Sequence, residues 1–146
     1  MKLLAFFLLF GIMTCYNPEA AVKYARQYCQ HYNKEYDDYS QIGGDCANFV
    51  SQCLIAGGQS LNECAGVKNH GVIAGTLSLT KCLLQNNWKE ATTQPPGFRA
   101  GYPMASINKK SIILATSVNG KEITYCSHTN DTCDKILDYE VYYYYL

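Results

Sequence analysis

Residues 43–58 read Gly43-Gly44-Asp45-Cys46-Ala47-Asn48-Phe49-Val50-Ser51-Gln52-Cys53-Leu54-Ile55-Ala56-Gly57-Gly58, and they decide how the rest of the chain is read. Asp45 is a good N-cap, and Phe49, Val50, Cys53 and Leu54 recur at helical spacing as one apolar face. Gly57-Gly58 ends the helix. Cys46 therefore falls in the first helical turn, at the positive end of the dipole and beside backbone N–H groups without helical partners. Both features favour thiolate and can pull a thiol well below its free pKa of about 8.5. The same N–H groups can hold the oxyanion formed when sulfur attacks a carbonyl. The glycines just ahead let the chain turn sharply and let a substrate approach the backbone. The residues alone leave a second reading open, with Cys46 as one half of a disulfide at a helix cap.

Before this segment, Asn17-Pro18 opens a helix, with Asn as cap and Pro at the first position, where a missing N–H costs nothing. Ala21, Val22, Ala25, Tyr28, Cys29 and Tyr32 follow at three- and four-residue steps, and the helix is expected to stop near Asn33. A polar, tyrosine-rich stretch then runs to Ile42. After the central segment, Leu77, Leu79, Leu83 and Leu84 mark a third helix leading to Trp88, the only tryptophan. Beyond Pro95-Pro96-Gly97 the pattern becomes that of strands. Residues 111–118 and 121–126 flank Asn119-Gly120, a strong hairpin signal, and 141–145 form a closing strand. Helices first and an antiparallel sheet after them give an α+β layer architecture in one domain.

A length of 146 residues fits a single core, and 48% hydrophobic against 16% charged residues excludes a disordered chain. With 12 basic and 12 acidic residues the formal charge is zero, which argues against electrostatic binding of nucleic acid or an anionic membrane. Lys2 followed by an apolar run from Leu3 to Met13 has the form of a signal peptide, too short to span a bilayer. Residues 1–15 are expected to be that signal, and 16–146 the mature domain, secreted and free of the membrane after cleavage. Ile12-Met13-Thr14-Cys15 leaves lipid anchoring as a minor option. Removing 1–15 takes away Lys2 alone, leaving 11 basic against 12 acidic residues.

Eight cysteines in so short a chain suggest an oxidising compartment. Without Cys15 seven remain, and an odd count leaves one thiol over if the others pair. Cys126 and Cys133 flank a short loop and are natural partners. Cys53 with Cys64 or Cys82 is a further option, with Cys29 taking what remains. There is no CxxC pair and no zinc-finger spacing, so no metal and no other cofactor is expected.

The segment 43–58 resembles the nucleophile motif of the Putative amidase domain family, of the papain-like superfamily and similar to the NlpC and CHAP cell-wall hydrolases. Tyr16-Asn17-Pro18-Glu19-Ala20-Ala21-Val22-Lys23-Tyr24-Ala25 resembles the family's first helix, and Ser127-His128-Thr129-Asn130-Asp131 a motif near its end. The resemblance implies a papain-like fold, with a nucleophilic Cys46 at a helix start packed on an antiparallel sheet. It also implies a peptide or peptidoglycan-like substrate. One position departs from the pattern. Family members usually carry a histidine, the general base of related hydrolases, where this chain has Ser111, and a hydroxyl cannot accept the thiol proton near neutral pH.

His128 falls where the orienting residue is expected, and is the candidate base of a shortened dyad with Cys46. Asn130 or Asp131 is placed to orient its imidazole. Asn130-Asp131-Thr132 is also an N-glycosylation sequon, and a glycan there would crowd the cleft. His31 and His70 read as surface residues. Tyr32, Tyr36, Tyr39 and Tyr142 to Tyr145 read as sheet packing and solvent-facing positions, with stacking on a sugar or peptide as the alternative. Two function classes follow: a secreted cysteine amidase or peptidase working through a Cys46 thioester, or a catalytically degenerate homologue that binds cell-wall material or peptide.

Overall fold

The computed structural model describes residues 15–146, so the expected signal segment lies outside the described residues apart from Cys15. Three α-helices come first: α1 (Pro18–Tyr28), α2 (Cys46–Ala56) and α3 (Thr76–Gln85), with a short 3-10 turn at Asn69–Gly71. Six strands follow: β1 (Lys89–Ala91), β2 (Pro103–Ser106), β3 (Ile112–Asn119), β4 (Glu122–Ser127), β5 (Thr132–Ile136) and β6 (Val141–Tyr145). They form one sheet in the order β1-β6-β2-β3-β4-β5, and every neighbouring pair is antiparallel. The α+β expectation holds at this level, with the helices on one sheet.

Helix α1 begins as its sequence dictates, with the Asn17 side chain accepting from the Ala20 N–H and Pro18 in the first turn. It ends at Tyr28, five residues earlier than Asn33. The carbonyl that would take the next helical N–H, that of Tyr28, accepts instead from His128 Nε2 at 2.7 Å, and Cys29 is covalently tied to Cys133. Tertiary partners end this helix before its periodicity does.

Helix α2 is buried along Ala47 to Leu54 and packs against α1, α3 and β3. The sequence pattern predicts one apolar face, yet this helix has no solvent face over that span. It tolerates such burial because its polar residues are bonded. Asn48 Nδ2 donates to Asp45 and to the Asp37 carbonyl. Ser51 Oγ donates to the Ile73 carbonyl and accepts from the Ile73 N–H, and Gln52 Oε1 accepts from the Tyr24 hydroxyl. In α3 the apolar positions split, with Leu79 and Leu83 buried and Leu77 and Leu84 exposed.

The β3–β4 hairpin pairs Asn119 with Glu122, so its two-residue loop is Gly120-Lys121, with Gly120 at φ 61° as a type II′ turn requires. The tyrosine strand β6 lies between β1 and β2. Strict alternation is not kept there. Tyr144 is fully buried, while Tyr143 packs edge-on to Phe98, and Tyr142 carries the Lys109 ammonium 4.9 Å above its ring.

Before β2 the chain makes a tight approach to α1. Gly101 sits at φ 92°, gives its carbonyl to the Tyr16 hydroxyl at 2.6 Å, and donates its N–H to Ala115 at 2.7 Å. A Cβ on Gly101 would collide with the Pro18 backbone. Gly101→Ala combines that clash with a left-handed φ. It is expected to lower stability by on the order of 3 kcal/mol in urea denaturation, without changing the m-value.

Candidate active site

The start of α2 is held by Asp45, though not as a cap. Its side chain makes no bond to the helix N–H groups. Oδ1 accepts from the Tyr39 N–H and from Asn48 Nδ2, each at 2.8 Å, and Oδ2 meets His128 Nδ1 at 2.5 Å. Asp45 and His128 are both buried, with side chains 1% exposed. The imidazole lies flat between Tyr32 and Phe49, each ring centroid 4.0 Å away. With a carboxylate on Nδ1 and the Tyr28 carbonyl on Nε2, both ring nitrogens face acceptors, an arrangement that the doubly protonated ring satisfies.

That geometry bears directly on the expected dyad. His128 makes no hydrogen bond to Cys46, and its two nitrogens are both engaged elsewhere. A ring whose two nitrogens are both bonded to other oxygens is not placed to take the thiol proton. Cys46 is half-buried, is not in a disulfide, and has one side-chain partner, the Thr76 hydroxyl 3.6 Å from its sulfur. Thr76 in turn reaches the carbonyl of Lys110 at 3.5 Å. Ser111, the next residue, turns its hydroxyl to Thr129 instead. His70 packs edge-on to Tyr36, and neither it nor His31 bonds the sulfur.

Asn130 occupies an exposed turn between β4 and β5 at φ 56°, and does not orient His128. Asp45 performs that task. Asn130 instead lines a cleft of about 290 Å³ with Ser111, Thr129, Tyr125 and Tyr139. Ser111 Oγ and Thr129 Oγ1 are 3.3 Å apart across it. Burial pushes the Tyr139 phenol up, and the neighbouring Tyr125 adds to that effect. The structure thus groups Ser111, Tyr125, Thr129, Asn130 and Tyr139 around one cleft, while Cys46 keeps to the Thr76 hydroxyl and His128 to Asp45. A larger groove of about 590 Å³, with Lys23, Arg26, Arg99 and Phe98 on its walls, contains none of these residues. The carboxylate of Asp45 and the hydroxyl of Thr76 were not singled out from sequence. Asp45 directly precedes the cysteine and its sequence position suggests a cap, whereas its carboxylate bonds His128 and makes no cap bond.

The cysteines also pair differently from expectation. The disulfides are Cys29–Cys133 and Cys64–Cys82, while Cys46, Cys53 and Cys126 are free. Cys133 takes Cys29 rather than Cys126, because the end of α1 packs against the β4–β5 loop. Disulfides agree with an extracellular setting. Among the described residues no helix is long and apolar enough to cross a membrane.

Comparison with known families matches the Putative amidase domain to residues 15–95, more than half of the chain. The chain belongs to this family. The matched part of the amidase domain contains Asp45 and Cys46, and ends before Ser111 and His128. No curated protein and no solved structure matches the chain.

Two outcomes are expected from this site. Removing one member of a buried ion pair strands the other, so Asp45→Asn should cost about 3 kcal/mol in urea denaturation. Combining it with His128→Gln should cost clearly less than the sum of the two single changes. Burial also pushes the Cys53 and Cys126 thiols up, which leaves little thiolate at pH 8. In the folded, unreduced protein, iodoacetamide at pH 8 should therefore label Cys46 to completion before Cys53 or Cys126 reacts, as read by peptide mass spectrometry.

Proposed function

We propose that this amidase-family chain is a secreted domain of papain-like layout whose cleft, lined by Ser111, Tyr125, Thr129, Asn130 and Tyr139, binds a peptide or peptidoglycan-like ligand without hydrolysing it. The observation behind this reading is that both nitrogens of His128 are bonded to oxygen acceptors, while no other histidine bonds Cys46. Thioester chemistry on an amide needs a group that takes the sulfur's proton and later protonates the leaving amine. Thr76 and Ser111 offer hydroxyls, which do neither near neutral pH. What the cleft does offer is hydroxyls from Ser111 and Thr129, the Asn130 side chain, and the rings of Tyr125 and Tyr139. Such a lining holds amide groups by hydrogen bonds and sugar or peptide faces by aromatic contact.

The hydrolase reading keeps one specific support. Cys46 is a free thiol at the first turn of a helix, where backbone N–H groups would hold an oxyanion. Sedimentation with insoluble peptidoglycan, followed by mass spectrometry of the soluble fraction, separates the two. Binding with no released peptide is the expected result. Cleavage products that vanish in Cys46→Ala would establish the hydrolase instead, and absence of both binding and cleavage would reject this ligand class. Ser111→His introduces an imidazole next to Lys110, whose carbonyl Thr76 reaches, with the Thr129 hydroxyl as a neighbour. It should raise the rate of Cys46 carboxymethylation at pH 7 by at least about tenfold.

A further inference from the structure

Three sulfurs meet where the end of α1 packs on β4 and β5. Cys29, at the C-cap of α1, is bonded to Cys133 of β5, and Cys126 of β4 keeps its thiol. The three Sγ atoms all lie within 4.8 Å of one another. Cys126 is fully buried and Cys29 nearly so, while Cys133 is partly exposed, so a buried thiol is held against a disulfide whose outer sulfur reaches the surface. The β4–β5 register pairs Tyr125 with Lys135 and Ser127 with Thr132, which sets Cys126 across the two strands from Cys133 at an irregularity in the ladder. Exchange between these sulfurs needs local movement and not unfolding.

We propose that Cys126, Cys29 and Cys133 form an internal thiol–disulfide exchange site, in which Cys126 displaces Cys29 from Cys133. The Cys126 thiol gives up its proton, and its sulfur attacks Cys133 Sγ. The Cys126–Cys133 bond forms as the Cys29–Cys133 bond breaks, and Cys29 leaves as thiolate and takes up a proton. One disulfide and one thiol are present before and after, so no oxidant or reductant is consumed.

The exchange changes what the crosslink does. The Cys29–Cys133 bond joins residues 104 apart in sequence and clamps the end of α1 to the β4–β5 loop. The exchanged bond would span only the loop that contains His128. The clamp is next to the bond between the Tyr28 carbonyl and His128, so opening it frees the end of α1 from the imidazole. Burial is the main gate, because it pushes the Cys126 thiol up. The Asp134 carboxylate of β5 adds to that effect, while Arg26 of α1 and a backbone hydrogen bond from Asp134 oppose it. Charge on Cys126 in turn raises the buried Cys53 thiol of α2. A raised thiol is scarcely ionised at neutral pH, so exchange is slow there and speeds up with alkalinity.

The test uses the folded, unreduced mature protein held with iodoacetamide at pH 7, 8 and 9, quenched in acid and digested without reduction for mass spectrometry. Cys126–Cys133 linked peptide and alkylated Cys29 should appear together in equal amounts, at a rate rising about tenfold per pH unit. In Cys126→Ser, Cys29 should stay linked to Cys133 and unlabelled. The proposal fails if Cys29 is never labelled, if it is labelled equally fast in Cys126→Ser, or if the new linkage occurs only between two chains. The paired appearance of the two wild-type peptides needs no variant, so it decides the matter even if Cys126→Ser does not fold.

Discussion

The buried contact between Asp45 and His128 joins three parts of the chain that are far apart in sequence: the turn before α2, the end of α1 and the β4–β5 loop. A buried ion pair survives only if its remaining hydrogen-bonding capacity is met. Here it is, through the Tyr39 N–H, the Asn48 amide and the Tyr28 carbonyl, with Tyr32 and Phe49 closing both faces of the ring. The start of α2 is therefore positioned by a charge it does not use as a cap. Cys46, one residue on, takes its place from that anchor.

The same anchor limits the chemistry at the site. An imidazole fully engaged in holding the architecture is not available to a neighbouring thiol. The side-chain hydrogen-bond partner of Cys46 among the described residues is the Thr76 hydroxyl, which is not a base of suitable strength. In this amidase-family domain Cys46 and His128 are bonded to different partners, the Thr76 hydroxyl and the Asp45 carboxylate. The open cleft and the free thiol remain as features on which a ligand can act.

Much of the fold was legible in the chain. The start of α1 follows from Asn17-Pro18, α2 from the run between Asp45 and Gly57, and the β3–β4 hairpin from Asn119-Gly120, because capping, periodicity and turn chemistry are local. The strands β1, β2 and β5 were not legible. They are three to five residues long, exist through pairing with distant partners, and leave little periodicity to read. Within the site, the place of Cys46 at a helix start was readable from the residues around it. The engagement of His128 was not, since Ser127-His128-Thr129 looks the same whether its ring faces a sulfur or a carboxylate.

The sequence by itself determined the layer class, the family, the position of Cys46 at a helix start and the excess of thiols over simple pairing. These are set by residues close together along the chain, where spacing alone carries the physics. Only the tertiary structure decided which histidine nitrogen meets which oxygen, which cysteines pair, and that α2 is buried on every side. Those are contacts across as many as 104 residues, and they depend on how helices and sheet pack, which no local pattern encodes.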